Sequence, residues 1–131
     1  MLGEMIGEER GKTSGQKVLP DGKVEVSFEA TGKILGFETT DMGTYLSEMM
    51  PDGTIWGEGQ GIEITKDGEM ASWKGTGVGR FTGKGGATSF RGAIYYRTSS
   101  QKLARLNGIA VVFEYETDEN GNTHGKSWEW K

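Results

Sequence analysis

Glycine falls on every second residue twice in this chain, at Gly57, Gly59 and Gly61 and again at Gly75, Gly77 and Gly79. A period of two is the side-chain period of a β-strand, so each run has one face almost bare of side chains. Asp67-Gly68 between the runs is a strong hairpin signal. Glycine weakens a strand unless sharp bending or close approach of another group requires it. Two such strands side by side predict a tightly curved sheet, most simply a small closed barrel.

The rest of the chain is punctuated in keeping with that expectation. Residues 3–19 are polar and predict one long bent strand or two short ones, ended by Pro20-Asp21-Gly22. Val24, Val26, Phe28 and Ala30 alternate with Glu25, Ser27, Glu29 and Thr31, a strand with one wet face. Gly32-Lys33 is expected as a tight turn or bulge, Asp41-Met42-Gly43 as a break, and Pro51-Asp52-Gly53 as a turn. Strands follow from Ala87 to Thr98, from Gly108 to Tyr115 and from Gly125 to Lys131. Only Lys102–Leu106 holds even one helical turn. About eight to ten strands and no long helix predict an all-β domain over residues 1–131, a single antiparallel up-and-down β-barrel of about eight strands.

Composition narrows the function classes. The chain has 131 residues, enough to bury a core in one domain. Counting glycine and setting tyrosine aside, its apolar share is roughly 48%, in the ordinary globular range. A net charge of −4 argues against a surface that tracks phosphates, so no nucleic-acid partner is expected. Cysteine is absent and His124 is the one histidine, which excludes thiolate chemistry and a Cys-based zinc site. Asp118, Asn120, Asn122 and Glu129 fall at calcium-loop spacing, but Thr123 stands where glycine is needed, so no metal is expected. No apolar run is long enough for a membrane-spanning helix and the first residues lack a signal-peptide pattern; no membrane partner and a cytoplasmic location are the expectation. No cofactor-binding pattern occurs, since the glycine spacing matches neither phosphate-loop motif.

The ladders leave two possibilities open. Their glycines face a lumen and leave room for a guest, framed by Trp73 and Phe81 of the same parity, or they serve curvature alone and are filled from opposite strands. Glu114, inside Val111-Val112-Phe113-Glu114-Tyr115, is a candidate general acid or base because apolar neighbours raise a carboxyl pKa. Glu129, between Trp128 and Trp130, reads better as a residue on a wet face.

Gly77-Val-Gly-Arg-Phe-Thr-Gly83, then Ser89-Phe90-Arg91-Gly92 and the apolar strand from Gly108 to Tyr115, resemble the allene oxide cyclase-like barrels and an uncharacterised prokaryotic group related to them. The likeness covers roughly the last eighty residues. It implies an eight-stranded calycin-like barrel with a lumen open at one end, often a dimer or trimer, holding an apolar substrate and steering a cyclisation by shape. The cysteine of the plant cyclases has no counterpart, so their activity is not carried over.

Three functions are expected in order. The first is a binding module for a small, mostly apolar molecule contacted by Trp56, Trp73, Phe81, Phe90, Tyr96 and Phe113. The second is a cofactor-free isomerase or cyclase in which Glu114 is acid or base and Tyr95 or Arg91 stabilises developing charge. The third is a structural or assembly protein, motivated by Ile109 to Phe113, apolar on both faces, which implies a homo-oligomer.

Overall fold

The computed structural model describes residues 1–131, the side chain at position 84 excepted. Eight strands run in order: β1 (Leu2–Val18), β2 (Val24–Ile34), β3 (Phe37–Met49), β4 (Ile55–Thr65), β5 (Met70–Phe81), β6 (Thr88–Arg97), β7 (Ala110–Thr117) and β8 (Asn122–Trp130). Each pairs antiparallel with the next, and β8 returns to β1, so the sheet is a closed up-and-down barrel. Closure leaves no edge strand along the paired length.

Local chemistry sets the hairpins. Four of them share one loop, three residues ending in glycine: Gly22, Gly53, Gly68 and Gly121, with φ between 81° and 92°. In the first, the Gly22 N–H donates to the Leu19 carbonyl at 2.9 Å and the Leu19 N–H to the Lys23 carbonyl at 2.8 Å. This is the three-residue hairpin in which a tight turn is followed by one left-handed residue, a conformation glycine adopts without cost.

Two expected interruptions are absent. Gly32-Lys33 is not a turn: β2 runs on to Ile34, and the chain reverses at Leu35 and Gly36, both at positive φ (51° and 84°). Gly32 is there because β1 comes close, so that a Cβ on it would stand 2.0 Å from the Glu8 carbonyl. Nor does Asp41-Met42-Gly43 break the chain, since β3 passes straight through it. The first segment is one long strand with irregular pairing to β8 near Leu2–Gly7 and a bulge against β2 at Thr13–Gly15.

The connection between β6 and β7 plugs one end of the barrel. It makes a single 3-10 turn, Ala104–Leu106, and carries Leu103 and Leu106 to full burial against Ile6, Ile34, Ala71, Tyr96 and Val111. Polar ties hold it: Asn107 bridges the Thr98 N–H and carbonyl at 3.0 Å each, Ser100 donates to Glu69 at 2.7 Å, and Lys102 pairs with Asp67. Arg105 spans Glu4 and Glu129 at 2.6 and 2.8 Å.

Candidate functional site

The glycines of both ladders face inward. In β4 the inner set is Ile55, Gly57, Gly59, Gly61, Glu63 and Thr65; in β5 it is Ala71, Trp73, Gly75, Gly77 and Gly79. Rings from elsewhere occupy most of the space they leave. A Cβ on Gly61 would lie 2.4 Å from the Trp73 indole, one on Gly79 2.6 Å from Phe90, and one on Gly77 3.0 Å from Phe113. Of the two alternatives left open for the ladders, curvature filled from other strands predominates. What remains is a cavity of about 100 Å³.

One side of the cavity is aromatic. Phe28 stacks on Trp73 with centroids 6.2 Å apart, and Tyr115 meets Phe28, Tyr45 and Phe90 at 5.5, 6.1 and 6.5 Å. The other side carries three carboxyl groups, Glu9 from β1, Asp41 from β3 and Glu63 from β4. Gly125 of β8 makes room for the first of them: a Cβ there would lie 3.3 Å from Glu9 Cγ and 3.6 Å from Tyr115 Cδ1.

These acids are tied to the wall and to each other. Trp73 Nε1–H donates to Asp41 Oδ1 at 2.8 Å; Thr39 and Tyr96 hydroxyls donate to the two oxygens of Glu63 at 3.1 and 3.2 Å. Glu9 and Asp41 interact directly, which raises Glu9 and partly offsets the rise of Asp41. Burial is the main reason their charged forms are disfavoured. It pushes Glu9 up to about 10, with the Asp41 and Glu63 charges adding, and Glu63 up to about 8, with Asp41 adding and its two donors opposing. Burial also raises Asp41, against its interaction with Glu9 and the hydrogen bond from Trp73. Carboxyl groups that disfavour one another's charge do not all ionise together, so protons are shared among the three.

The hydroxyls nearby stay neutral. Burial raises Tyr45 to about 12 and holds Tyr96 and Tyr115 well above the ordinary phenol range. Tyr115 Oη and Thr123 Oγ1 are buried without a hydrogen-bond partner; Thr123 stands near enough to ease Tyr115 ionisation, but neither oxygen completes a bond. Among the described residues, no Lys, Arg or His is buried, and no group of three or more His, Cys, Asp or Glu is arranged to hold a metal ion.

Of the residues expected to contact a guest, Trp73, Phe90, Tyr96 and Phe113 line the cavity. Trp56 does not. It shares the outer face of β4 with Glu58, to which its indole N–H donates at 2.8 Å, and pairs across the wall with Val78. Phe81 has inward parity but ends β5 at the rim, 46% exposed.

The residues expected to do chemistry point the other way. Glu114, Arg91 and Tyr95 sit on the outer wall, where Arg91 pairs with Glu114 at 3.7 Å and with Glu116 at 3.1 Å, and Tyr95 is 57% exposed. Strand parity decides this: Val111, Phe113 and Tyr115 take the inner face of β7, leaving Glu114 outside with Val112. The outer Val112 finds a neighbour in Trp128, its cross-strand partner on β8.

No family model matches the chain, and no curated protein does. Solved structures share the fold. A conserved protein of unknown function from Rhodopseudomonas palustris superposes with a TM-score of 0.80 at 11% identity, over 98% of this chain and 97% of that one. A protein of unknown function from Clostridium acetobutylicum gives 0.79 at 14% identity, over 98% of each chain.

Proposed function

We propose that this chain is a small-molecule-binding barrel whose lumen takes a compact, mostly apolar guest. The observation that carries the proposal is the cavity of about 100 Å³ between the aromatic cluster and the carboxyl trio. An apolar wall with a few converging polar groups is the usual make-up of a ligand site. The volume sets the scale of the guest, since a cavity of roughly 150 Å³ lined by apolar side chains accommodates benzene. The likeness to allene oxide cyclase-like barrels supports the same reading, because those barrels hold an apolar substrate largely by shape.

Nuclear magnetic resonance tests it directly. Titration with benzene is expected to shift the amide signals of Gly57, Gly59 and Gly75 and the Trp73 indole N–H, while the outer Trp56 indole stays put. A spectrum unchanged up to the solubility limit would remove the proposal.

A cofactor-free isomerase using the same cavity is the second reading. It is favoured by the Glu9–Asp41 pair, two interacting carboxyl groups of raised pKa that line the same partly apolar cavity. Such a pair can take a proton from one carbon of a guest and return one to another. Butanone incubated in deuterated buffer should then gain deuterium beside its carbonyl faster than in buffer alone, and Asp41→Asn should abolish the excess. Wild-type protein giving only the buffer rate would sink this reading and leave binding untouched.

A further inference from the structure

We infer that the guest of the lumen is a small organic cation, a primary ammonium ion carried on a short alkyl group, with its charged end against Glu9, Asp41 and Glu63 and its alkyl end among the rings. This rests on the binding reading above and names the chemistry of its ligand.

Four independent features of the wall converge on it. Three carboxyl groups share one small space, and among the described residues no basic side chain is buried to balance them. Thr39 and Tyr96 already donate to Glu63 and Trp73 to Asp41, so those three donors are committed. Two buried oxygens lack any partner, Tyr115 Oη on the cavity wall and Thr123 Oγ1 beside it, Thr123 being 4% exposed. An ammonium group brings three N–H donors, which carboxylate and hydroxyl oxygens can accept. Finally, Phe28, Tyr45, Phe90, Trp73 and Tyr115 line the same space, and aromatic rings attract a desolvated cation. A carboxylate guest would instead add a fourth acid to the trio.

Protons and charge balance in a definite way. At neutral pH the trio holds shared protons; when R–NH₃⁺ enters, one carboxyl gives up its proton to solvent and the site becomes an ion pair with no net change in charge. Affinity for an amine therefore rises with pH through the range in which the trio titrates, up to the pKa of the amine itself. The titratable groups with inward side chains along the site are Glu9 on β1, Asp41 and Tyr45 on β3, Glu63 on β4, Tyr96 on β6 and Tyr115 on β7; Glu8, Lys33, Glu58, Glu114 and Lys126 also border it from the alternate positions of their strands. The three phenols stay protonated throughout that range.

Isobutylamine, isobutanol and isobutyrate are nearly the same size and differ in charge, so titrating the full chain with each at pH 7.5 separates the possibilities. The expected result is at least tenfold tighter binding of isobutylamine than of isobutanol and no binding of isobutyrate. Calorimetry in two buffers of different ionisation enthalpy should show about one proton released per amine bound. Isobutanol binding as tightly as the amine, or no proton release, overturns the cation while benzene or isobutanol binding keeps the barrel a binding protein. Failure of benzene and all three probes overturns both. Glu63→Gln and Asp41→Asn, each checked for fold by circular dichroism, should erase the preference for the amine over isobutanol; preference unchanged in a folded variant also overturns the assignment.

Discussion

Trp73 owes its position to two residues that contribute no side chain. Its indole lies across Gly43 and Gly61, where an added Cβ would come within 2.6 and 2.4 Å of the ring, and from there it reaches Asp41. Gly61→Ala should therefore cost about 1–3 kcal/mol, the usual penalty for forcing atoms into a packed interior. Tryptophan emission should shift as the indole leaves Asp41, with the loss read as a lowered urea midpoint. Gly15 is the contrast: nothing lies within 4 Å of its would-be Cβ and its φ is not positive, so Gly15→Ala should be neutral or stabilising by up to ~1 kcal/mol in the same assay. The buried acids give stability a pH signature. Glu9 and Glu63 keep their protons in the folded chain at a pH where the unfolded chain has lost them. Their contribution is complete below the ordinary carboxyl pKa near 4.5 and is lost as pH climbs toward about 8 for Glu63 and about 10 for Glu9. Each such proton changes the folding equilibrium roughly tenfold per pH unit in that window. Urea midpoints should fall steadily from pH 5 to pH 9, and Glu63→Gln should flatten the trend. A midpoint that rises over this range would contradict the protonated trio.

Among the elements, the plug and the strands were unequally legible. The ladders of β4 and β5 and the Asp-Gly turns are written in glycine spacing, which backbone geometry demands, so strand order and curvature could be read directly. The carboxyl trio could not be read in the same way, because in parts of β3 and β4 the polar residues face in and the apolar ones out. On β4, Ile62 is 39% exposed and its neighbour Glu63 is 6% exposed, the reverse of ordinary patterning. Asp41 sits in Thr-Thr-Asp-Met-Gly, whose composition resembles a turn, and Glu9 sits in a charged run. The signal that would have found Glu63 is parity: it continues Gly57, Gly59 and Gly61. The same count, applied to β7 from Phe113, puts Glu114 outside. The plug was legible only as one helical turn, since two leucines in a polar loop do not announce what they cover. Leu103→Ala or Leu106→Ala should cost about 2–5 kcal/mol. Amide exchange should then rise first at the plugged end, in Ile34, Ala71 and Tyr96, before the opposite rim responds.

For the whole molecule, the lumen is the limiting dimension. At about 100 Å³ it lies below the roughly 300–1,000 Å³ of sites that engulf drug-sized ligands. Palmitate added to the protein should leave Trp73 emission unchanged, whereas benzene should alter it; a response to palmitate would mean that the rings swing aside. The seam between β1 and β8 joins residues 2–12 to residues 122–130. During synthesis β1 leaves the ribosome before β8, so its outer border has no partner until β8 follows. Until then the nascent chain carries open strand borders that a neighbouring chain could pair with, and only the closed circle removes them.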